Sequence, residues 1–186
     1  MGELKHGGTA RLHTQRLCLR PYQGSDAPSA FAHWAGDMRV TDALDWTAHS
    51  DVNVTRRLID MWVESYQSPT VYHWCIEYNG SAVGDIMVCK WNQDDSWCEL
   101  GYCLSPALWG RGLMTEALGC VCDYLLYQVG FHRIQLKHEA ENTASGRVMQ
   151  KCGFRYEGTL RHAKRSRNGE WKDICCYSLL SCDKTE

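Results

Sequence analysis

The stretch from Glu99 to Ala117, Glu-Leu-Gly-Tyr-Cys-Leu-Ser-Pro-Ala-Leu-Trp-Gly-Arg-Gly-Leu-Met-Thr-Glu-Ala, constrains this chain more than any other. A strand-like run ends at Ser105-Pro106, two glycines flank Arg111, and helix formers follow from Leu113. The order is a strand, a turn rich in free amides, and a helix N-terminus. The first amides of a helix have no partner inside it and the helix dipole adds positive charge there, so such a turn suits a pyrophosphate. No Walker lysine follows Gly112, where Leu113-Met114-Thr115 stand, and Gly-x-Gly by itself marks only a turn.

Alternation and helical spacing organise the rest. Arg16 to Tyr22 alternates and is stopped by Pro21, which predicts a first strand. Ser25 and Asp26 offer N-cap chemistry for a helix to about Trp34, ended near Gly36. A second helix is expected from Asp51 to about Tyr66, with Val54, Leu58, Met61, Trp62 and Ser65 near one face. Three strand-like runs follow, Val71 to Tyr78, Ala82 to Trp91 and Trp97 to Leu104. Asn79-Gly80 and Asn92-Gln93-Asp94-Asp95 separate them, which reads as an antiparallel meander. After the glycine turn, Ala117, Leu118, Val121, Leu125 and Val129 keep helical spacing up to Gly130. Arg133 to Glu139 predicts a strand, Thr143 to Cys152 a helix, and Arg155 onward a final hairpin turning at Asn168-Gly169. The expected order is β-α-α-β-β-β-α-β-α-β-β, an α/β sheet.

The 186 residues are enough for one domain with its own core, and residues 1–186 are read as one. Twenty Lys+Arg against 22 Asp+Glu give a net charge of -2, so no global attraction to DNA or a membrane surface is expected. No apolar run reaches the roughly 20 residues of a membrane span, and the N-terminus lacks a signal-peptide core, so a cytoplasmic protein is expected. Eleven cysteines cannot all pair, and no Cys-x-x-Cys occurs, so neither a metal nor a disulfide framework is expected.

These motifs, taken in order, resemble the GNAT superfamily of acyl-CoA-dependent N-acetyltransferases, and its RimJ/RimL-type branch more closely. The carriers are Arg16-Leu-x-Leu-Arg-Pro, Glu99-Leu-Gly-Tyr, Pro106-x-x-Trp-Gly-Arg-Gly-x-x-Thr-Glu-Ala, Asn142-x-x-Ser, Lys151-x-Gly-Phe and Asn168-Gly-x-Trp-Lys-Asp173. The resemblance implies the GNAT fold: a mixed, mostly antiparallel sheet splayed at the fourth strand, with about four helices. It implies acetyl-CoA as cosubstrate and no metal. Tyr102, Cys103 and Leu104 would offer a strand edge to the pantetheine arm, and an amide near Cys103 or Leu104 would face the oxyanion. Trp109, Gly110, Arg111, Gly112, Met114 and Thr115 would hold the pyrophosphate. Asn142 would bind the cofactor arm and Ser145 would protonate the departing thiolate; the alternative is that Asn142 or Thr143 caps the helix. Many branches place a tyrosine acid one turn further on, and here that position is Met149.

Glu99 is the carboxylate inside a family motif, which makes it the candidate general base; its alternative is a sheet-face ion pair. Glu116, near a helix start, suits the dipole. Some relatives carry a carboxylate base where Lys164 stands here, with His162 as a local substitute. Cys103 as an acyl carrier competes with ordinary packing. An α-amine, with a pKa of about 7.7 to 8.0, is partly neutral at cellular pH, unlike a lysine amine near 10.4, and so suits a weakly equipped site. The expected acceptor is a protein N-terminus such as that of a ribosomal protein. Alternatives are a small amine or antibiotic, or a non-catalytic acyl-CoA-binding module. The basic run Arg161 to Arg167 would attract an acidic peptide or be a solvated face, Trp34, Trp46 and Trp62 would line the acceptor side or pack the core, and an exposed sheet edge would admit a homodimer.

Overall fold

The computed structural model describes residues 3–42, 44 and 46–183. Its sheet has eight strands: β1 Leu12–His13, β2 Cys18–Arg20, β3 His73–Tyr78, β4 Ser81–Asn92, β5 Trp97–Leu104, β6 Arg133–Glu139, β7 Arg155–Arg165 and β8 Trp171–Leu180. Their order is β1-β2-β3-β4-β5-β6-β8-β7. Neighbours are antiparallel except β5 and β6, which are joined through a crossover helix as a parallel pair must be. The β3–β4 turn is Asn79-Gly80, with φ of 50° and 76°, the left-handed pair that a tight hairpin needs. β1 is an addition to the expected order, because two residues are too short to show alternation.

Helices cover both faces. α1 Ala27–Ala30, α2 Met38–Thr41 and α3 Val52–Ser65 lie on one side; α4 Leu113–Asp123 and α5 Thr143–Lys151 belong to the other. The α4–α5 face holds the larger core, with Leu118, Val121, Leu125, Trp74, Ile86 and Ile134 fully buried. The second core gathers Tyr22, Trp34, Ile59 and Cys75. Trp46 packs edge-on against Trp34, and Trp62 lies 4.2 Å from the His73 ring, so these tryptophans serve packing. α3 buries Thr55 and Ile59, with Val54, Leu58, Trp62 and Ser65 half-buried and Met61 64% exposed; the buried face lies about one residue, roughly 100°, round from the expected one.

Two local features set the frame of the site. Arg20 is buried, donating to both carboxylate oxygens of Asp26 at 2.7 and 2.8 Å and to Glu77 at 2.5 Å. Asp26 also accepts from Gln23 N, so the β2 arginine fixes the entry to α1. The N-terminal segment lies across the end of α4. Lys5 N donates to Val129 O, Tyr124 donates to Gly8 O, and Trp74 donates to Ala10 O. The last turn of that helix, Tyr124–Val129, widens to π geometry and stops at Gly130 with φ 96°, the terminator expected from the sequence.

The sheet splits where the cofactor edge was expected. β5 and β6 pair only through Trp97, Cys98 and Glu99 against Arg133, Ile134 and Gln135. Beyond Glu99, β5 stays paired with β4 while β6 stays paired with β8, which leaves a wedge between them.

Candidate active site

The wedge opens onto the glycine turn. Gly110 and Gly112 have φ of 77° and 75°, and Gly112 is the N-cap of α4. No atom lies within 4 Å of where a Cβ would stand on Gly110, so glycine is required there by conformation and leaves the amides open. The turn is braced from β2's approach. Arg16 donates to Glu116 Oε2 at 2.7 Å through Nε and to Arg111 O at 3.0 Å, while Thr14 and Arg16 N donate to Glu116 Oε1. Against the upward push of partial burial, these Thr14 and Arg16 contacts hold the Glu116 carboxyl below its ordinary range. Glu116 is therefore a brace for the turn. Arg16 thereby holds the Arg111 carbonyl, and the Arg111 side chain is exposed beside the turn.

A cavity of about 400 Å³ runs from this turn along the wedge. Tyr102, Cys103 and Leu104 line one side, with Trp109, Gly110, Gly112, Met114 and Thr115 at the turn. Ser105 N donates to Val83 O, and Leu104 O accepts Trp109 Nε1 at 2.8 Å. Strand amides alternate in direction, so Tyr102 and Leu104 turn their N–H groups toward the wedge. Cys103 turns its own toward β4. The expectation of an amide at Cys103 or Leu104 narrows to Leu104. Burial beside Asp85 pushes the Cys103 thiol well above its ordinary pKa, so no thiolate nucleophile is poised there.

Asn142 and Ser145 lie across the wedge at the start of α5. Asn142 Oδ1 accepts Ser145 N at 3.2 Å, so Asn142 is the helix cap while also facing the cavity. Ser145 Oγ is 2.8 Å from the Tyr102 hydroxyl, which also approaches Ser145 O at 3.2 Å. Met149 is buried in the core, and the tyrosine near Ser145 comes instead from β5. Its side chain was not foreseen as a partner of Ser145.

Glu99 lies elsewhere. Its carboxylate accepts Gln135 Nε2 at 2.8 Å and Lys137 Nζ at 2.7 Å, at the paired end of β5, and it does not line the cavity. The placement shows the sheet-face ion pair that the sequence offered as the alternative to a general base. His162 lines a separate pocket of about 240 Å³ with Trp171 and Asp173, and Lys164 pairs with Glu139. Much of the basic run is likewise engaged, Arg167 donating to Thr41 O at 2.6 Å and Arg165 to Gly169 O. Sequence reasoning missed the far end of the cavity, where Arg39, Val40, Asp42 and Leu44 stand, and the pair Arg147 and Lys151 on α5. The pair's i,i+4 spacing after Asn142 was a usable signal; the four-residue α2 offered none.

Among the described residues no group of three His, Cys, Asp or Glu side chains is placed to hold a metal. No helix there is long and apolar enough to cross a membrane, and no disulfide joins the cysteines. Cys75, Cys98 and Cys122 are fully buried in the cores. Open amides, left-handed glycines and a widening wedge together fit a long phosphorylated ligand with an extended arm.

Comparison with known proteins agrees. The acetyltransferase (GNAT) domain family matches residues 16–155. An N-acetyltransferase of Bacillus licheniformis, p20, is 29% identical over 171 residues, covering 91% of this chain and 95% of that protein. The [ribosomal protein uS5]-alanine N-acetyltransferase of Escherichia coli is 32% identical over 88 residues, 47% of this chain and 45% of that protein. The structure of RimL, a ribosomal L7/L12 α-N-protein acetyltransferase in complex with coenzyme A, superposes with a TM-score of 0.80 at 20% identity, covering 90% of this chain and 95% of that one. GNAT enzymes use acetyl-CoA, and the chain belongs to the GNAT family of N-acetyltransferases.

Proposed function

We propose that the protein transfers the acetyl group of acetyl-CoA to the N-terminal α-amine of a protein by direct attack. The single observation that carries the reading is the wedge, whose open β5 edge leads from the glycine turn to Ser145. Acetyl-CoA brings the acyl group as an activated thioester. In this reading the amides from Gly110 to Thr115 hold the pyrophosphate, Tyr102 to Leu104 align the arm, and Leu104 N–H stabilises the oxyanion. Ser145 donates to the leaving sulfur. Asp42 is the one carboxylate among the described lining residues, and a cleft so sparingly equipped suits an amine that is already partly neutral. An α-amine, with a pKa of about 7.7 to 8.0, meets that need, and a lysine amine near 10.4 does not. The E. coli relative, whose name gives ribosomal-protein alanine as its acceptor, acts on this class.

The test is thiol release from acetyl-CoA against N-terminal peptides, lysine side-chain peptides with blocked N-termini, a polyamine and an aminoglycoside. Turnover of free-N-terminus peptides is expected. Turnover confined to the polyamine or the aminoglycoside would sink the protein-acceptor reading.

A further inference from the structure

Tyr102 occupies a position that its strand alone does not explain. It is an even-numbered residue of β5, so its side chain leaves the sheet on the α4–α5 side, where it packs on the larger core. Its hydroxyl is 2.8 Å from Ser145 Oγ and 3.2 Å from Ser145 O. Ser145 is held independently through its N–H, which donates to Asn142 Oδ1. A phenol has one proton to give. If it goes to Ser145 O, the serine hydroxyl must turn its own proton back toward the phenol. If it goes to Oγ, the serine proton is free to turn into the cavity that Ser145 lines. The shorter of the two contacts is the one to Oγ.

We propose that Tyr102 is a positioning residue for Ser145: its phenol donates to Ser145 Oγ, so that the serine's own proton is aimed at the thioester sulfur. The inference rests on the role given to Ser145 in the proposed function. Burial pushes the Tyr102 phenol well above its ordinary range, so it remains a donor throughout the pH range of an assay. As the amine attacks, the carbon–sulfur bond breaks and its electron pair stays on sulfur, which accepts the Ser145 hydrogen bond. The proton lost by the amine passes to solvent, and the thiolate departs already solvated by a hydroxyl. No proton leaves Tyr102 or Ser145 for good, and no further reactant is needed.

The experiment has two arms. With the acceptor of the panel that turns over fastest, Tyr102→Phe is expected to lower kcat about tenfold while KM for acetyl-CoA stays within about twofold; Ser145→Ala is expected to lose about 100-fold. The double variant should be no slower than Ser145→Ala, since the two act as one unit. The second arm needs no acceptor. The thiol of bound coenzyme A is titrated by its thiolate absorbance against bound desulfo-coenzyme A, and Tyr102→Phe should raise its pKa by about one unit, a tenfold loss of preference for the thiolate. Should the phenylalanine variant fold poorly, fluorotyrosine at 102 keeps the shape and strengthens the donor, and should lower the thiol pKa instead. An impaired Ser145→Ala beside a Tyr102→Phe with normal kcat and normal thiol titration overturns the Tyr102 proposal alone. Losses that multiply in the double variant do the same. A fully active Ser145→Ala overturns the Ser145 reading and this proposal with it.

Discussion

Gly84 offers a sharp test of how the wedge works. It stands on β4 opposite Leu104, and a Cβ built on it would lie 2.6 Å from Cys103 O, 3.1 Å from Leu104 Cδ1 and 3.2 Å from Ile76 Cδ1. Real Cβ contacts essentially stop at 3.0 Å, so Gly84→Ala must push the Cys103 carbonyl by at least about 0.4 Å, and by about 0.8 Å to reach ordinary van der Waals contact. The carbonyl of Cys103 and the N–H of Leu104 belong to one planar peptide unit, so the donor assigned to the oxyanion moves with it. Overpacking of this kind costs about 1–3 kcal/mol, or about 2–4 °C of Tm per kcal/mol in a chain of this size. A misplacement of 1 Å at a reacting centre can cost about 100-fold in rate, so a shift of half that or more should lower kcat by about 10- to 100-fold. Steady-state kinetics and a thermal melt on the same preparation decide it. A variant that melts several degrees lower yet keeps wild-type kcat would refute the assignment of that peptide to the chemistry.

Other expectations follow from the contacts described above. Glu116→Gln removes the ionic brace from the glycine turn and should raise KM for acetyl-CoA several-fold with kcat held; a collapse of kcat at unchanged KM would move Glu116 into the chemistry. The Arg133 guanidinium, with Ser178, holds the Glu157 carboxyl at about 2, below its ordinary 4.5. A depressed carboxylate stabilises the fold above its unfolded pKa and loses that contribution as pH falls through the folded one. The urea midpoint of Glu157→Gln should therefore lie below wild type from neutral pH to about 4.5, and the gap should close toward pH 2; a gap that widens with acid contradicts the pairing. Cys103→Ala should keep kcat within about threefold and show no acyl-enzyme burst, because a buried, protonated thiol is not a nucleophile. A burst in wild type that the variant lacks would reverse that conclusion.

The strands around the site were legible because alternation and Asn79-Gly80 are local signals, and the glycine turn because left-handed backbone at 110 and 112 demands that residue. Pairings set by register were not. Glu99 meets Lys137 only once β5 and β6 lie parallel, and nothing in either strand alone announces that the lysine neutralises it. Tyr102 and Ser145 stand 43 positions apart and meet only because the start of α5 faces β5 across the wedge. The α3 face was misjudged at Met61 for a related reason: apolar residues are spread around the helix, and Thr55, a polar residue, is on its buried side.

The N-terminal segment gives the cleft an asymmetry. One wall rests on a helix secured at both ends, by Arg16 and Glu116 at the turn and by Lys5 and Gly8 near Val129 and Tyr124. The opposite wall is the nine-residue α5, and the lining also takes in the four-residue α2, where Arg167 of the last hairpin donates to Thr41 O. The glycine turn thus stands on a helix that the N-terminal segment ties at both ends, and residues 5–16, remote in sequence, help set the position of its amides.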